Sequence, residues 1–296
     1  MYGSGFAVLS ALAFALNNVF TRRAVIKVDD AATGVLITVP IGLPFFISIL
    51  IFTGQIDSIA GFSWRSYVWF SAAGILHYVV GRSLSYKCIQ LVGANIAGIL
   101  LRSNAVVAVV LGISVLGESV TWNLVLGVLF IVFGLTLPGL NQEILRNRKS
   151  PFSNLLPRAV LFGLGAGVAW GVSPILIKVG LSGSGSPVAG AFISFFAATI
   201  ILSISLLNHD RYLALRNMKS KTIGLFCGAG LLSSTANLMR FVALGVAPAS
   251  IVTPLISVSP VFLLILSFMF NRKLELFNLS IILGILSVVI GSILIV

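Results

Sequence analysis

The sequence predicts an all-α integral membrane protein with ten transmembrane helices, arranged as two inverted repeats of five helices. Three observations predict this fold class: the composition, the spacing of the apolar runs and an internal repeat. Of the 296 residues, 58% are hydrophobic and only 9% are charged, and the mean hydropathy is +1.12. Water-soluble domains do not have such a composition, so soluble enzymes and disordered chains are excluded.

Apolar runs of bilayer length follow one another along nearly the whole chain. A hydrocarbon core about 30 Å thick needs about 20 apolar residues per helix, and irregular backbone there would leave polar groups unpaired. The first run continues into Arg22 and Arg23 without a cleavage site, so we expect it to be a retained span. The predicted spans are 4–21, 31–52, 66–86, 92–115, 121–139, 159–181, 187–207, 222–244, 249–270 and 276–296.

The two halves of the chain resemble each other. Leu126–Gly134 aligns with Leu283–Gly291 at an offset of 157, and Ala13–Arg22 aligns with Ala169–Lys178 at an offset of 156. Because five is odd, a second copy must enter the membrane upside down, and such repeats can expose a central site alternately to each side. The predicted units are a first repeat at 1–140, a basic connecting loop at 141–158 and a second repeat at 159–296.

The net charge of +12 comes from 19 Lys and Arg against seven Asp and Glu. Fourteen of the cations fall on one side, in the connections after spans one, three, five, seven and nine, and we call this side face B. The opposite side, face A, carries Arg65. Because cytoplasmic connections are rich in Lys and Arg, we expect face B to be cytoplasmic and both termini to lie outside.

Cations also occur inside the predicted spans, whereas all seven acids lie in connections or at their edges. Arg102 is about ten residues into the fourth span, roughly 15 Å deep. A charge at that depth costs about 2.5–3.5 kcal/mol or more. We expect Arg102 to face an aqueous cavity and bind a substrate anion, with Asn104 adding hydrogen-bond donors; a structural role between helices is the alternative.

Two further arginines lie near the ends of their spans. Arg82 and Arg240 are about four residues from the C-terminal ends of spans three and eight, and inversion places them near opposite faces. They either extend to the membrane interface or guard the two mouths of a substrate pathway. Asn237 shares a helix face with Arg240 because the two are three residues apart.

Three other polar positions are candidates. His77 is the one side chain within a predicted span that has an ordinary pKa near neutrality, so it is either a proton relay or a packing residue. Asn17 and Ser173 occupy matched positions of spans one and six, where they form interhelical hydrogen bonds or contact substrate. Two separated cysteines, Cys88 and Cys227, match no metal or redox spacing. No catalytic residue, metal site or cofactor is predicted.

Ten spans in two copies, the Gly117-Glu118 junction before span five and the glycine-rich last helix resemble the EamA-like branch of the drug/metabolite transporter superfamily. The resemblance implies a multi-pass carrier of the plasma membrane that moves small metabolites through a cavity lined by both halves. Two departures stand out. The connection at 53–63 carries an acid instead of cations, which indicates the inverted orientation, and Asn271-Arg-Lys273 stands near where a second glutamate is expected.

We therefore predict a secondary-active transporter that moves a small anionic or zwitterionic metabolite (an amino acid, organic acid or phosphorylated compound) by alternating access. Export follows from the family resemblance alone. The alternative is a multidrug exporter of lipophilic compounds with structural arginines; a membrane-embedded enzyme is disfavoured because the spans hold no acid and no metal-ligand cluster. The expected partners are a small-molecule substrate, the lipid bilayer and a candidate coupling proton. Nothing in the sequence indicates nucleic acid binding or an oligomeric state.

Overall fold

The computed structural model describes residues 2–116, 120–137, 151–181, 186–246 and 255–295, which form helices and short connections without a strand among them. The helices are α1 (Tyr2–Val25), α2 (Val35–Thr38), α3 (Gly42–Phe52), α4 (Trp64–Gly74), α5 (Arg82–Leu100), α6 (Ser103–Leu116), α7 (Trp122–Thr136), α8 (Pro151–Leu181), α9 (Pro187–Ser205), α10 (His209–Arg216), α11 (Ser220–Val246), α12 (Ser259–Phe270) and α13 (Leu279–Leu294). Single 3₁₀ turns cover Ala31–Gly34 and Ile56–Ile59, and a π-helical segment, Ile75–Gly81, joins α4 to α5.

Several helices begin at polar side chains that cap their first turn. Ser63, Thr121, Ser186, Asn208 and Asn278 each accept a hydrogen bond from a backbone N–H of the helix that follows. Such residues satisfy donors that the helix itself leaves unpaired. Four of them lie in or beside predicted connections and Asn278 lies in the first turn of predicted span ten, so the local chemistry of the caps sets these helix starts.

The structure confirms an all-helical protein with several membrane spans, as the described residues show it. By length and composition, five segments can cross a bilayer: Gly3–Val25, Ala31–Phe52, Leu155–Leu181, Pro187–Ser205 and Ser220–Arg240. One bent pair, Trp64–Leu100 with Ser103–Leu111, raises the number to six. Three shorter apolar helices cover Trp122–Thr136, Leu255–Phe270 and Leu279–Leu294. The count of ten spans stays a prediction.

Gly93 breaks the long helical stretch that starts at Trp64. Its φ of +86° and ψ of 167° are not helical, and only glycine adopts such a backbone without strain. A Cβ atom at this position would also lie 2.6 Å from Oε2 of Glu275. Unbroken, the stretch to Leu100 would be about 55 Å long, well beyond the bilayer core. The break falls at the second residue of predicted span four.

Two helix boundaries differ from the prediction. The third span was predicted to end at 86, but helix continues to the break at Gly93. The sixth was predicted to begin at 159, but α8 begins at Pro151, inside the predicted loop. Proline fits the first turn of a helix, and the polar residues after it are compatible with a helix that extends past the hydrocarbon. Positions 141–150 of that loop lie outside the described residues.

Helices α7 and α13 pack with their backbones in close contact. A Cβ atom on Gly127 would lie 2.7 Å from the carbonyl oxygen of Gly291, and one on Gly291 would lie 2.5 Å from that of Gly127. Two turns further along α7, a Cβ atom on Gly134 would lie 2.9 Å from the carbonyl oxygen of Gly284. Small residues allow this approach, so the two helices form a tightly packed pair.

The contact between α7 and α13 yields a stability prediction. Alanine is about 1 kcal/mol better than glycine in a helix interior, but overpacking a close contact costs about 1–3 kcal/mol. We expect Gly291→Ala to lower the thermal unfolding temperature of the purified protein in detergent. Gly224→Ala is the matched control, since a Cβ atom there meets nothing within 4 Å, and it should leave that temperature equal or higher. Equal unfolding temperatures for the two variants would contradict the packing argument.

Candidate functional site

A central cavity of about 570 Å³ lies between helices from both halves of the chain. Its walls come from α1, the stretch from α4 to α6, and α8, α9, α11 and α12. All eight candidate residues from the sequence line it: Asn17, His77, Arg82, Arg102, Asn104, Ser173, Asn237 and Arg240. The structure therefore brings together side chains that are up to 223 positions apart in the chain.

Arg102 stands at a bend in the helical chain. The segments Trp64–Leu100 and Ser103–Leu111 meet there at 43°, and the turn is closed by a hydrogen bond from the Arg102 backbone N–H to the carbonyl of Ile99 (3.0 Å). Among the described residues, the Arg102 guanidinium has no hydrogen-bond or ion-pair partner. The nearby Asn104 Oδ1 is buried and likewise lacks a donor. The bend thus directs unsatisfied polar groups to the cavity.

Arg82 is held inside the protein at 7% exposure. Its Nη2 donates to Ser233 Oγ at 2.6 Å, and its guanidinium lies 5.2 Å from the centre of the Tyr78 ring, a cation–π contact. Its Nη1 is buried and has no acceptor among the described residues. Arg82 is therefore anchored by one nitrogen and open to a further acceptor at another.

Arg240, on α11, lines the same cavity as Arg82, on α5. Inversion was predicted to place Arg82 and Arg240 near opposite faces of the membrane. The structure brings both side chains to one cavity, and their depths in the membrane stay a prediction.

His77 lies in the π-helical segment Ile75–Gly81. Its Nδ1 is 2.8 Å from Ser173 Oγ, and its ring stacks on Trp170 with centroids 5.5 Å apart. The indole Nε1 of Trp170 donates to the His77 carbonyl oxygen at 3.1 Å. Single turns of π-helix occur often at functional sites, and this one is fixed by contacts to α8.

The amides of the cavity differ in how fully they are paired. Asn237 is 5% exposed and its Nδ2 donates to the Ser233 carbonyl at 2.9 Å. Asn17 Oδ1 is buried and has no donor among the described residues. Buried polar atoms without a partner are costly unless water or a ligand reaches them. Asn17 therefore belongs with Arg102 as a group available to a ligand.

The charged side chains that the structure shows lining the cavity are all positive. Three guanidinium groups line it, and its lining, as far as the structure describes it, includes no carboxylate. Over the described part of the chain, no group of three or more His, Cys, Asp or Glu side chains could hold a metal ion. The chemistry available is therefore hydrogen bonding and charge attraction from arginines, amides, hydroxyls and one imidazole, which suits binding of an anion.

Sequence reasoning missed the aromatic supports of the site. Tyr78 carries Arg82 on its ring face, and Trp170 holds His77 by stacking and by a hydrogen bond. Apolar aromatic residues are common throughout a membrane protein, so their composition gave no signal. The available signal was position, because Trp170 lies in the segment that repeats the first span.

Several helices that are long and apolar enough to cross a bilayer, packed around a central cavity, indicate a multi-pass membrane protein. The chain belongs to the EamA-like transporter family, whose family model matches residues 1–138 and 157–296. Members of this family are membrane transporters of the drug/metabolite superfamily rather than enzymes.

Comparison with solved structures finds chains that share the fold of this protein. Fifteen chains match. One of them, described only as "Crystal structure of protein", is 13% identical with a TM-score of 0.58, and the match covers 97% of this chain and 96% of that chain. At that identity the likeness shows the fold alone. No curated protein matches the chain.

The anchoring of Arg82 can be tested with two adjacent serines. Ser233→Ala removes the acceptor of a buried guanidinium, and a hydrogen bond to a charged group contributes about 1.5–3 kcal/mol. We expect a lower free energy of unfolding, read as a lower thermal unfolding temperature. Ser234→Ala is the control, because Ser234 is fully buried and its Oγ has no partner among the described residues. A Ser234→Ala variant as destabilised as Ser233→Ala would overturn this account.

Proposed function

We propose that the protein is a secondary-active transporter that moves a small anionic or zwitterionic metabolite by alternating access, with Arg102 binding the substrate. Amino acids, organic acids and phosphorylated compounds are the candidate substrates. One observation carries the proposal: Arg82, Arg102 and Arg240 line a single cavity whose described lining includes no carboxylate. Export, which follows from the family resemblance, is the proposed direction.

The energetics of burial favour an anionic substrate. A charge at membrane depth must reach water, a counter-ion or backbone carbonyls. Arg102 has none of these among the described protein groups, and Arg82 has one buried nitrogen without an acceptor. A carboxylate or phosphate would supply the missing acceptors, and guanidinium groups bind both in a bidentate manner.

We further propose ten spans in two inverted repeats at 1–140 and 159–296, joined by 141–158. The close contacts between α7 and α13 support this arrangement. In sequence Gly127 matches Gly284 and Gly134 matches Gly291, yet in space Gly127 contacts Gly291 and Gly134 contacts Gly284. Such an exchange of partners is expected when a two-fold axis relates the copies.

Contacts elsewhere follow the same rule. A Cβ atom on Gly34 would meet the Phe226 ring, and one on Gly190 would meet the Phe70 ring. Gly34 matches Gly190 and Phe70 matches Phe226 at an offset of 156, so the two contacts are equivalent in the two copies. The family model matches two segments, 1–138 and 157–296. Backbone contacts at the same offset are Gly74 with the Ser194 carbonyl and Gly230 with the Thr38 carbonyl.

The proposed location is the plasma membrane, with face B in the cytoplasm and both termini outside. The support is the charge distribution, since face B carries fourteen cations and face A carries Arg65. A cysteine introduced as Gly61→Cys, which is exposed in the face A connection at 53–63, should react with a membrane-impermeant thiol reagent on intact cells. Reaction only after the cells are opened would reverse the orientation.

The anion hypothesis is tested by Arg102→Ala in reconstituted vesicles. Removal of the guanidinium should lower uptake of the transported acid or phosphorylated compound at least tenfold, because a lost charged hydrogen bond of about 1.4 kcal/mol corresponds to that factor. Arg65→Ala is the control, since Arg65 is exposed in the first turn of α4 and does not line the cavity, and the uptake of this variant should equal that of the wild type.

The outcome also separates the rival functions. Undiminished anion transport by Arg102→Ala would remove the central claim, and resistance of expressing cells to cationic dyes would favour an exporter of lipophilic compounds.

We propose His77 as the group that carries a coupling proton, supported by its hydrogen bond to Ser173 inside the cavity. In the same vesicles, His77→Gln should lose the stimulation by a pH gradient and keep substrate binding.

A further inference from the structure

We infer that Arg22 and Glu275 form a latch that closes the cavity at face B, and that this latch opens when the cavity faces that side. The inference rests on the proposed alternating access. Arg22 lies in the last turn of α1, and Glu275 lies in the connection between α12 and α13. The two side chains join three connections of face B: those after the predicted spans one, three and nine.

Arg22 contacts two of these connections directly. Its Nη1 donates to the backbone carbonyls of Ile89 (2.7 Å) and Gln90 (3.0 Å). Its Nη2 donates to the carbonyl of Leu274 (2.8 Å), and its Nε lies 3.2 Å from Glu275 Oε1. One guanidinium therefore holds the end of α5 before the Gly93 break and the connection after α12.

Glu275 completes the latch from the other side of the break. Its side chain is 0% exposed, and its carboxylate accepts hydrogen bonds from the backbone N–H groups of Ala94 (2.7 Å) and Asn95 (3.0 Å). Burial raises the pKa of the Glu275 carboxyl, while these donors and Arg22 oppose the rise by stabilising the charged form. The absence of a Cβ atom at Gly93 gives the carboxylate its space.

A second set of contacts joins α1 to the same connection. Arg23 Nε donates to Asn271 Oδ1 at 2.7 Å, and Asn271 Nδ2 donates to the Val19 carbonyl at 3.1 Å. Asn271 is 1% exposed. The latch is thus a largely buried polar layer held by several hydrogen bonds, unlike the exposed pair Lys87 and Asp30 at 3.6 Å on the same face.

The latch lies just beyond the cavity on the helices that form its wall. Asn18 on α1 and Tyr86 on α5 line the cavity, and Arg22 and Gln90 each follow one helical turn later. Along α1 and α5, Val19, Ile89 and Ile96 lie between residues that line the cavity and residues of the latch, and all three belong to the buried apolar core. The latch therefore adjoins buried apolar side chains at the cavity's face B end.

The other end of the cavity reaches residues that flank a connection of face A. Leu181 and Pro187 line it there, and they flank the connection after the predicted sixth span on face A. The structure accordingly shows the latch closed at face B. Because contacts made in one state only bias an equilibrium between two states, loss of the latch should increase the population that is open to face B.

Thiol labelling tests the latch without any substrate. The reporter is Ser85→Cys, on the cavity wall, in a protein whose native Cys88 and Cys227 are replaced by alanine. A membrane-impermeant maleimide is supplied at face B of vesicles of known orientation. Glu275→Gln should raise the labelling rate about tenfold, since it removes the charge from a network of charged hydrogen bonds.

The matched control is Asp30→Asn, which removes an ion pair at the same face that is exposed and outside the latch; its labelling rate should equal that of the reporter alone. A rate for Glu275→Gln equal to that of the reporter alone would overturn the latch. If Glu275→Gln does not fold, Arg22→Lys decides the matter, because lysine keeps the charge but cannot reach three carbonyls, and an unchanged rate again overturns it.

The two proposals fail separately. Faster labelling of Glu275→Gln together with normal anion transport by Arg102→Ala would remove the anion hypothesis and keep the latch. Unchanged labelling together with lost transport by Arg102→Ala would do the opposite.

Discussion

Cationic side chains held in a membrane protein without acids beside them constrain the whole arrangement of helices. Arg82, Arg102 and Arg240 cannot face hydrocarbon at acceptable cost, so the helices that carry them must turn these groups toward a shared interior space. The bend at Arg102 and the burial of Arg82 against Tyr78 and Ser233 both serve that requirement. Among the described residues, no acid lines this space, and the buried Glu275 is paired with Arg22 and with backbone N–H groups.

This constraint explains what the sequence could predict. All eight candidate residues line the cavity because an amide or a charge within an apolar run has few places to go. Their exact surroundings were beyond prediction, since Tyr78 and Trp170 contribute through geometry that composition does not record. Helix ends were also misplaced: Lys87 and Gln90 look like the start of a connection, but helix tolerates both and continues to Gly93.

The second glutamate shows a different kind of error. The sequence comparison predicts the counterpart of Gly117-Glu118 near Asn271-Arg-Lys273, which contains no acid. Glu275 stands 157 positions after Glu118, the offset that also relates the glycines of α7 and α13. The acid is therefore present in the second copy, two residues further along than expected. Glu118 itself lies outside the described residues, so the structural role observed here belongs to Glu275.

The π-helical segment at Ile75–Gly81 decides which way two of the polar side chains point. In an α-helix each residue advances by about 100°, so His77 and Arg82, five residues apart, would diverge by roughly 140°. The wider i→i+5 turn of a π-helix advances less per residue, so it brings side chains at that spacing closer to one face. One extra residue in one turn thus converts a helix with two polar faces into a helix with a single polar edge, while the rest of its circumference stays apolar for neighbouring helices and lipid.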